Sequence, residues 1–248
     1  MSIKPLTKVR GFFLPKLYIC IPVTIIMDHL IEENLKRFYD YLPKGVTLLA
    51  VSKTKPATDI QLAYDSGHRD FGENRIQEMV EKAEQLPKDI RWHMIGHVQN
   101  NKIKYMAPFV YMVHGMDKPK RFAELNKEAE KNDRIIDCLL QVHIAKEETK
   151  FGFDYAEATA FLEDDFNATY PFLRLRGLMA MATNTDDQSV VRNEFKGLHS
   201  FFNGIRQRGR FKDFNVLSTG MSSDYKIAIE EGSTMIRIGS AIFGKRDY

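Results

Sequence analysis

The sequence has little cysteine, a single tryptophan and little net charge, and two of these scarcities exclude classes of protein. Two cysteines, Cys20 and Cys138, are too few for a disulfide framework or for a cysteine-based zinc site. The formal charge is +3 over 248 residues. Residues 1–26 hold four basic residues and no acidic one, so the remaining 222 residues carry −1. A near-neutral body argues against a nucleic-acid partner.

Long apolar runs are also lacking, although residues 12–27 come close to one. Two prolines and a lysine interrupt this stretch. Its longest apolar part has about ten residues, whereas a membrane helix needs roughly 20, and no signal-peptide cleavage site follows it. An amphipathic helix starts just after Met27. We therefore predict that residues 1–26 are an N-terminal extension outside the fold and that residues 27–248 form one domain. A targeting segment and an ordered part of the fold are the alternatives.

From residue 28 onward, predicted strands and helices alternate. The first strand is a continuous apolar and β-branched run, which is typical of a strand covered on both faces. The predicted strands are residues 46–52, 70–72, 90–96, 110–115, 136–144, 173–181, 215–219 and 235–239, and the predicted helices are residues 29–41, 58–66, 76–85, 100–106, 119–132, 155–162, 188–208 and 225–231. This order predicts an α/β protein with a single TIM-like (β/α)8 barrel, and an open doubly wound sheet is the rival. Barrel sites lie where the strands end, and phosphate often sits after strands seven and eight.

The first candidate site follows the first strand, at Ser52-Lys53-Thr54-Lys55-Pro56. A lysine at the end of a buried strand is unusual. Desolvation lowers the pKa of such an amine and makes it nucleophilic, as a Schiff-base lysine requires. Lys53 is preferred because it is nearest the strand end, and the alternative is that both lysines emerge into solvent. Side chains two residues apart in a strand point to the same face, so Lys53 points the same way as Val51 unless the chain turns there. The pattern therefore does not decide between a functional Lys53 and two solvent-exposed lysines.

Two later loops, residues 217–224 and 236–244, predict an anion site. Their glycines and serines allow close backbone approach, and a helix N-terminus offers free N–H groups. Their place after predicted strands seven and eight matches the phosphate site of barrels, whereas ordinary turn chemistry is the alternative. Arg237 lies inside an apolar strand. It therefore needs either a ligand or a structural salt bridge.

Two further strand ends carry polar residues. Residues 71–75 include Asn74, and residues 92–97 include His93 and His97. Histidines four residues apart form a metal pair on a helix, but this segment has the pattern of a strand followed by a loop. We predict no metal site there, and we interpret His93 as a hydrogen-bonded residue of the core or of a pocket.

Seven groups of residues, taken in order, resemble one family. LLAVSKTKP, FGEN, WHMIG with VQNNK, KFGF, RGLMAMA, LSTGMSSDY and STMIRIGSAIFGKRDY are similar to the motifs of the pyridoxal phosphate homeostasis proteins, the YggS/PROSC type. The resemblance runs from about Val46 to Tyr248. It implies the barrel of the N-terminal domain of alanine racemases and bacterial-type ornithine decarboxylases, with pyridoxal 5′-phosphate (PLP) as the cofactor.

The resemblance also implies roles for the candidate residues. It implies a Schiff base between PLP and Lys53, and it implies that Arg237 faces the pyridine nitrogen of the cofactor. An arginine stays charged and discourages protonation of that nitrogen, which weakens the electron sink of the ring. The cofactor-binding set that the resemblance implies is Lys53, Asn74, Ser222, Arg237, Gly239 and Ser240, with the phosphate on Ser222, Gly239 and Ser240.

Two departures from the racemases bear on activity. Racemases bring a catalytic tyrosine from a second domain and carry a histidine in the strand-six motif, whereas this chain ends at Tyr248 and residues 177–182 contain no histidine. We therefore assign no catalytic residue and expect a PLP homeostasis protein that holds, buffers or delivers the cofactor. A low-activity PLP-dependent amino-acid racemase is the alternative. We further expect a cytoplasmic monomer without membrane or nucleic-acid partners, with PLP-dependent apo-enzymes as candidate recipients.

Overall fold

Eight parallel strands close into a barrel in the computed structural model, which describes residues 23–147 and 151–244. The strands are β1 (Thr47–Val51), β2 (Asp70–Glu73), β3 (Arg91–Met94), β4 (Met112–Met116), β5 (Ile136–Gln141), β6 (Leu173–Met179), β7 (Val216–Ser218) and β8 (Met235–Ile238). Each strand pairs with the next along the chain, and β8 pairs with β1, where Leu48 lies beside Ile236. This closure confirms the predicted (β/α)8 barrel and excludes the open sheet, whose edge strands would not pair.

The helices of the described residues follow the strands and cover the barrel. They are α1 (Val23–Tyr41), α2 (Ala57–Asp65), α3 (Ile76–Gln85), α4 (Ile103–Met106) after a 3-10 turn (Asn100–Lys102), α5 (Pro119–Lys131), α6 (Tyr155–Glu163), α7 (Phe166–Thr169), α8 (Gln188–Gln207), α9 (Tyr225–Glu230) and α10 (Ser240–Phe243). Every predicted helix is present, and α3 has the predicted bounds. The one-turn helices α7 and α10 are not among the predicted elements, because a single turn is too short to show a hydrophobic period.

The amino-terminal helix starts earlier than the sequence pattern predicts. Helix α1 begins at Val23 rather than at residue 29, so the last four residues of the predicted extension are helical. Residues 1–22 lie outside the described residues, and the extension therefore stays a prediction. Within the described ranges, no helix has the length and apolar character needed to cross a membrane.

Alternation along the strands separates an outer core from the barrel interior. The outer core lies between the strands and the helices, and helix α8 contributes to it with apolar side chains at helical spacing: Val191, Phe195, Leu198, Phe202 and Ile205. A smaller cluster faces inward: Leu49, Met112, Leu139, Met179, Val216 and Met235. The inward positions that follow these along each strand reach the carboxyl-terminal mouth of the barrel.

Ion pairs lie at the opposite, amino-terminal end of the barrel. Arg91 donates to the two carboxylate oxygens of Asp70, over 2.7 Å from Nε and 2.5 Å from Nη2. Asp137 accepts from Arg174 Nε and from Arg176 Nη1, each over 2.6 Å. Both aspartates are well covered, whereas the Arg91 and Arg174 side chains are 42% and 49% exposed. The charges at this end therefore link neighbouring strands.

Candidate functional site

A cavity of about 340 Å³ opens at the carboxyl-terminal end of the strands. Its volume is within the range of small-molecule sites. The residues that line it are Val51, Lys53, Asn74, Ile95, Met181, Met221, Ser222, Ser223, Arg237, Gly239 and Ser240. All six residues of the predicted cofactor-binding set are among them. The five others lie at strand ends or beside predicted residues. Val51 could have been predicted from the sequence, because it lies two residues before Lys53 and side chains two residues apart in a strand face the same side.

Lys53 enters the cavity from a tight turn after β1. The turn is closed by a hydrogen bond of 3.0 Å from the Lys55 amide to the Ser52 carbonyl, and Thr54 adopts a left-handed conformation with φ of 64°. Val51 and Lys53 both line the cavity, whereas Lys55 does not. Lys53 therefore shares the direction of Val51, which answers the question that the sequence pattern leaves open.

A buried network holds this turn against helix α3. Lys82 Nζ donates to the Ser52 carbonyl over 2.9 Å, to Glu73 Oε1 over 2.8 Å and to Glu78 Oε1 over 2.7 Å. Ser52 Oγ donates to Glu73 Oε1 over 2.6 Å, and the Thr54 amide donates to Glu78 over 2.6 Å. Burial raises the pKa of Glu73 to about 7, although Lys82 and Ser52 act in the opposite direction. The sequence pattern gave no sign of this network, because its members come from three separate elements.

Arg237 is a buried cation at the floor of the cavity. Its side chain is 4% exposed, and Nη1 donates to the Ser218 carbonyl over 2.7 Å and to Ser218 Oγ over 2.9 Å. Its Nη2 donates to the Ala180 carbonyl over 3.0 Å. Burial lowers the pKa of Arg237 to about 10, and Asp224 acts in the opposite direction, so the guanidinium stays protonated at neutral pH. Among the described residues these neutral oxygens are its side-chain partners, which does not fit the structural salt bridge considered above.

Another part of the cavity lining is made of hydroxyl and backbone groups. Ser222 and Ser223 precede helix α9, and Gly239 and Ser240 join β8 to α10. A Cβ atom at Gly239 would lie 3.3 Å from the Val51 carbonyl oxygen, tighter than an ordinary contact. The glycine therefore lets the end of β8 approach β1 closely and leaves its backbone at the cavity wall.

The two histidines of the third strand end have different surroundings. His93 is fully buried and hydrogen-bonded to Asp70 and His114, which confirms its interpretation as a hydrogen-bonded core residue. His97 is exposed and contacts Arg121, whose Nη2 lies 2.8 Å from His97 Nε2. Within residues 23–147 and 151–244, no group of three or more histidine, cysteine, aspartate or glutamate side chains could hold a metal ion.

The closed barrel and the position of its cavity define a class of protein. The family model described as "Alanine racemase, N-terminal domain" matches residues 27–247 of this chain. The alanine racemase of Clostridium difficile 630 is similar in fold, with a TM-score of 0.74 over 89% of this chain and 58% of that one. The two sequences are only 12% identical, so this likeness concerns the fold alone.

Closer relatives define the family within that class. The chain is 40% identical to the pyridoxal phosphate homeostasis protein of Pasteurella multocida, over 88% of this chain and 95% of the relative. PipY of Synechococcus elongatus, of the COG0325 family, has been solved without PLP and with PLP bound. It is 33% identical, with TM-scores of 0.82 and 0.79, and both structures cover 86% of this chain and 100% of PipY. The chain belongs to the pyridoxal phosphate homeostasis protein family, as its motifs predict.

Proposed function

We propose that this chain binds PLP in the cavity at the carboxyl-terminal end of the barrel, with Lys53 as the covalent anchor, and that it holds or delivers the cofactor inside the cell. The observation that carries the proposal is the convergence of the cavity lining. One amine, one buried guanidinium and three serine hydroxyls meet in a single cavity, in a chain whose family relative PipY has a structure with PLP bound.

The residues of the cavity fit the chemical groups of PLP. The Lys53 amine suits the aldehyde, because the two condense to a Schiff base and the aldehyde oxygen leaves as water. Ser222, Ser240 and the Gly239 backbone suit the phosphate. Arg237 is a fixed cation that suits an unprotonated ring nitrogen. When bound, PLP supplies an electron-withdrawing ring, and this chain's residues anchor, orient and partly enclose it.

The titratable groups of the cavity favour holding over turnover. Among the described residues that line the cavity, Lys53 and Arg237 are the ones with ionisable side chains. Racemisation needs proton transfer on both faces of the bound substrate, and an arginine is a poor acid or base because it remains protonated. The apolar side chains of Ile95, Met181 and Met221 complete the lining without adding an acid or a base.

A spectroscopic experiment tests the anchor. Purified protein mixed with PLP should develop the visible absorption band of a Schiff base, and borohydride should remove the band and leave the label on the peptide that contains Lys53. Lys53→Ala should abolish the band. Lys55→Ala is the matched control, since Lys55 lies in the same turn but outside the cavity lining, and it should leave the band intact. A label on Lys55 alone would overturn the assignment.

The phosphate wall has its own test. Pyridoxal, which lacks the phosphate, should bind far less tightly than PLP. Ser222→Asp should weaken PLP binding, because it sets a carboxylate against a phosphate of nearly −2 charge. Ser200→Asp on the exposed face of α8 serves as the control for an added charge. Equal affinities for pyridoxal and PLP would mean that these loops are ordinary turns.

An exchange assay separates the proposed role from the racemase alternative. The loaded protein is mixed with L-alanine and other amino acids in deuterated buffer, and α-proton exchange and racemisation are followed. Turnover of roughly 1 per second or faster, as in ordinary enzymes, would favour a racemase. The cytoplasmic location, the monomeric state and the apo-enzyme recipients remain predictions.

A further inference from the structure

A chain of buried polar side chains runs through the barrel interior from the cavity to the amino-terminal end. Arg237 Nη1 lies 2.9 Å from Ser218 Oγ, and Ser218 Oγ lies 3.2 Å from His114 Nδ1. His114 Nε2 lies 3.0 Å from His93 Nδ1, and His93 Nε2 lies 3.1 Å from Asp70 Oδ1. Ser218, His114 and His93 are each 0% exposed. We call these five residues the interior chain.

The chemistry of its two ends, together with the surroundings of the Ser218 hydroxyl, assigns a direction to every hydrogen bond in the interior chain. A guanidinium can only donate and a carboxylate can only accept. Arg237 therefore donates to Ser218 Oγ. The other hydrogen-bond neighbour of Ser218 Oγ among the described residues is His114 Nδ1, so the hydroxyl hydrogen goes to that nitrogen. His114 Nε2–H then donates to His93 Nδ1, and His93 Nε2–H donates to Asp70. Both imidazoles are satisfied as neutral rings in the Nε2–H form.

The electrostatics of the interior chain agree with this assignment. Burial lowers the pKa of His114 well below its ordinary value, and the Arg237 charge acts in the same direction. Burial alone would raise the pKa of Asp70, but hydrogen bonds from Arg91 and His93 hold it below its ordinary value. The interior chain thus has a fixed cation at the cavity, a neutral His114 in the middle and a fixed anion at the far end.

A polar interior is costly where apolar side chains would fit. The same interior holds an apolar cluster that includes Leu49, Met112 and Met179, so volume alone does not require histidine or serine at these positions. The interior chain instead removes rotational freedom from the Ser218 hydroxyl, because its hydrogen is committed to His114. The oxygen lone pairs are then directed at the guanidinium.

We propose that His114 and Ser218, backed by His93 and Asp70, are positioning residues for Arg237 and fix how its guanidinium meets a ligand in the cavity. The proposal rests on the proposed function insofar as that ligand is PLP. Without His114, the Ser218 hydroxyl can turn and donate elsewhere, and Arg237 loses one of the acceptors that orient it. Groups far from the cavity thereby influence the electronic surroundings of the ligand.

The first arm of the test uses the protein without ligand. With ¹⁵N-labelled histidine, NMR should find His93 and His114 in the neutral Nε2–H form, with slowly exchanging ring protons. Ser218→Ala should change the His114 Nδ1 signal, because that nitrogen loses its donor. A charged imidazole at either position, or an Nδ1–H form, would overturn the direction assigned to the interior chain.

The second arm measures PLP affinity and the absorption maximum of bound PLP in His114→Leu, His114→Asn and Ser218→Ala. His114→Leu and Ser218→Ala should weaken PLP by about tenfold or more, as expected for a lost hydrogen bond to a charged group, and should shift the absorption maximum. His114→Asn keeps an acceptor for the Ser218 hydroxyl and should recover most of the affinity and the wild-type spectrum. His68→Leu is the matched control: His68 is also buried, at 1% exposure, but its hydrogen bonds run to the Tyr39 hydroxyl and to the backbone carbonyl of Asp70, not to a side chain of the interior chain.

The outcomes separate the two proposals. If the wild type binds no PLP, the proposed function fails, and the positioning role falls with it. If the wild type binds PLP but His114→Leu and Ser218→Ala match His68→Leu in affinity and spectrum, PLP binding stands and the positioning role is wrong. If His114→Leu does not fold, Ser218→Ala decides the matter, since it removes only one oxygen atom.

Discussion

Replacing Glu73 by glutamine should remove a pH dependence from the stability of this protein. The carboxyl of Glu73 is fully buried and accepts hydrogen bonds from Ser52 and Lys82 through Oε1. Its Oε2 has no hydrogen-bond partner among the described residues. A glutamine keeps an acceptor oxygen for Ser52 and Lys82 but does not titrate, so Glu73→Gln isolates the effect of the charge.

The size of the effect follows from the pKa of Glu73. Burial raises it from an ordinary 4.5 to about 7, and each unit corresponds to about 1.4 kcal/mol. The folded protein binds this proton more tightly than the unfolded chain, so the associated stability is fully present below pH 4.5 and is lost as the pH rises through about 7. The free energy of unfolding of the wild type should therefore fall by roughly 3 kcal/mol relative to Glu73→Gln over this range.

Urea unfolding of both proteins at several pH values measures this difference directly. Other groups titrate in the same range, but they are common to both proteins and cancel in the difference. Glu81→Gln, on the exposed side of α3, controls for the loss of a surface carboxylate. A difference between wild type and Glu73→Gln that stays constant from pH 4.5 to pH 7.5, or grows in the opposite direction, would refute the reasoning.

Three further predictions concern the strands of the barrel and the N-terminal extension. Gly177 has φ of +152°, and a Cβ atom there would overlap the Val216 carbonyl. Gly177→Ala should therefore lower the free energy of unfolding by about 1–3 kcal/mol and the melting temperature by several degrees. An unchanged melting temperature would contradict this. Asp137→Asn should lower the free energy of unfolding by about 2 kcal/mol, because the hydrogen bonds from Arg174 and Arg176 lose their charged acceptor and Arg174 is half-exposed; denaturant midpoints check this value, and the loss should shrink at high salt. A chain that begins at Met27 should bind PLP and melt within a few degrees of the full chain, a change of about 1 kcal/mol or less; insolubility or loss of PLP would assign the extension to the fold.

Much of the barrel could be predicted because the ends of its strands and helices are marked clearly in the sequence. Strands covered on both faces read as apolar runs, and glycine or proline ends several helices; Gly67, with φ of +92°, follows α2 as the pattern predicts. The cavity could be predicted for the same reason. Once the order of strands is known, the residues just after them must converge at one end of the barrel, as Lys53, Ser222 and Ser240 do.

What could not be predicted depends on partners distant along the chain. The contact between His114 and Ser218 joins residues 104 positions apart, and strand alternation gives the face of each residue but not its neighbour across the barrel. The pairing of Glu73 with Lys82 likewise needs the packing of α3 against the sheet. The start of α1 at Val23 lies in a stretch whose apolar composition conceals any helical period.

The pairing of β1 with β8 has a consequence for how the protein is made. Leu49 lies beside Arg237 in the sheet, yet a ribosome that adds about 5–20 residues per second needs roughly 10–40 s to pass from one to the other. During that interval Lys53 projects from an unclosed sheet, and the neighbouring strand that carries the guanidinium does not yet exist. Such non-local pairing is slow to form. A ligand can therefore bind in this cavity only after β8 has been synthesised and paired with β1. A chain terminated before β8 would lack the site.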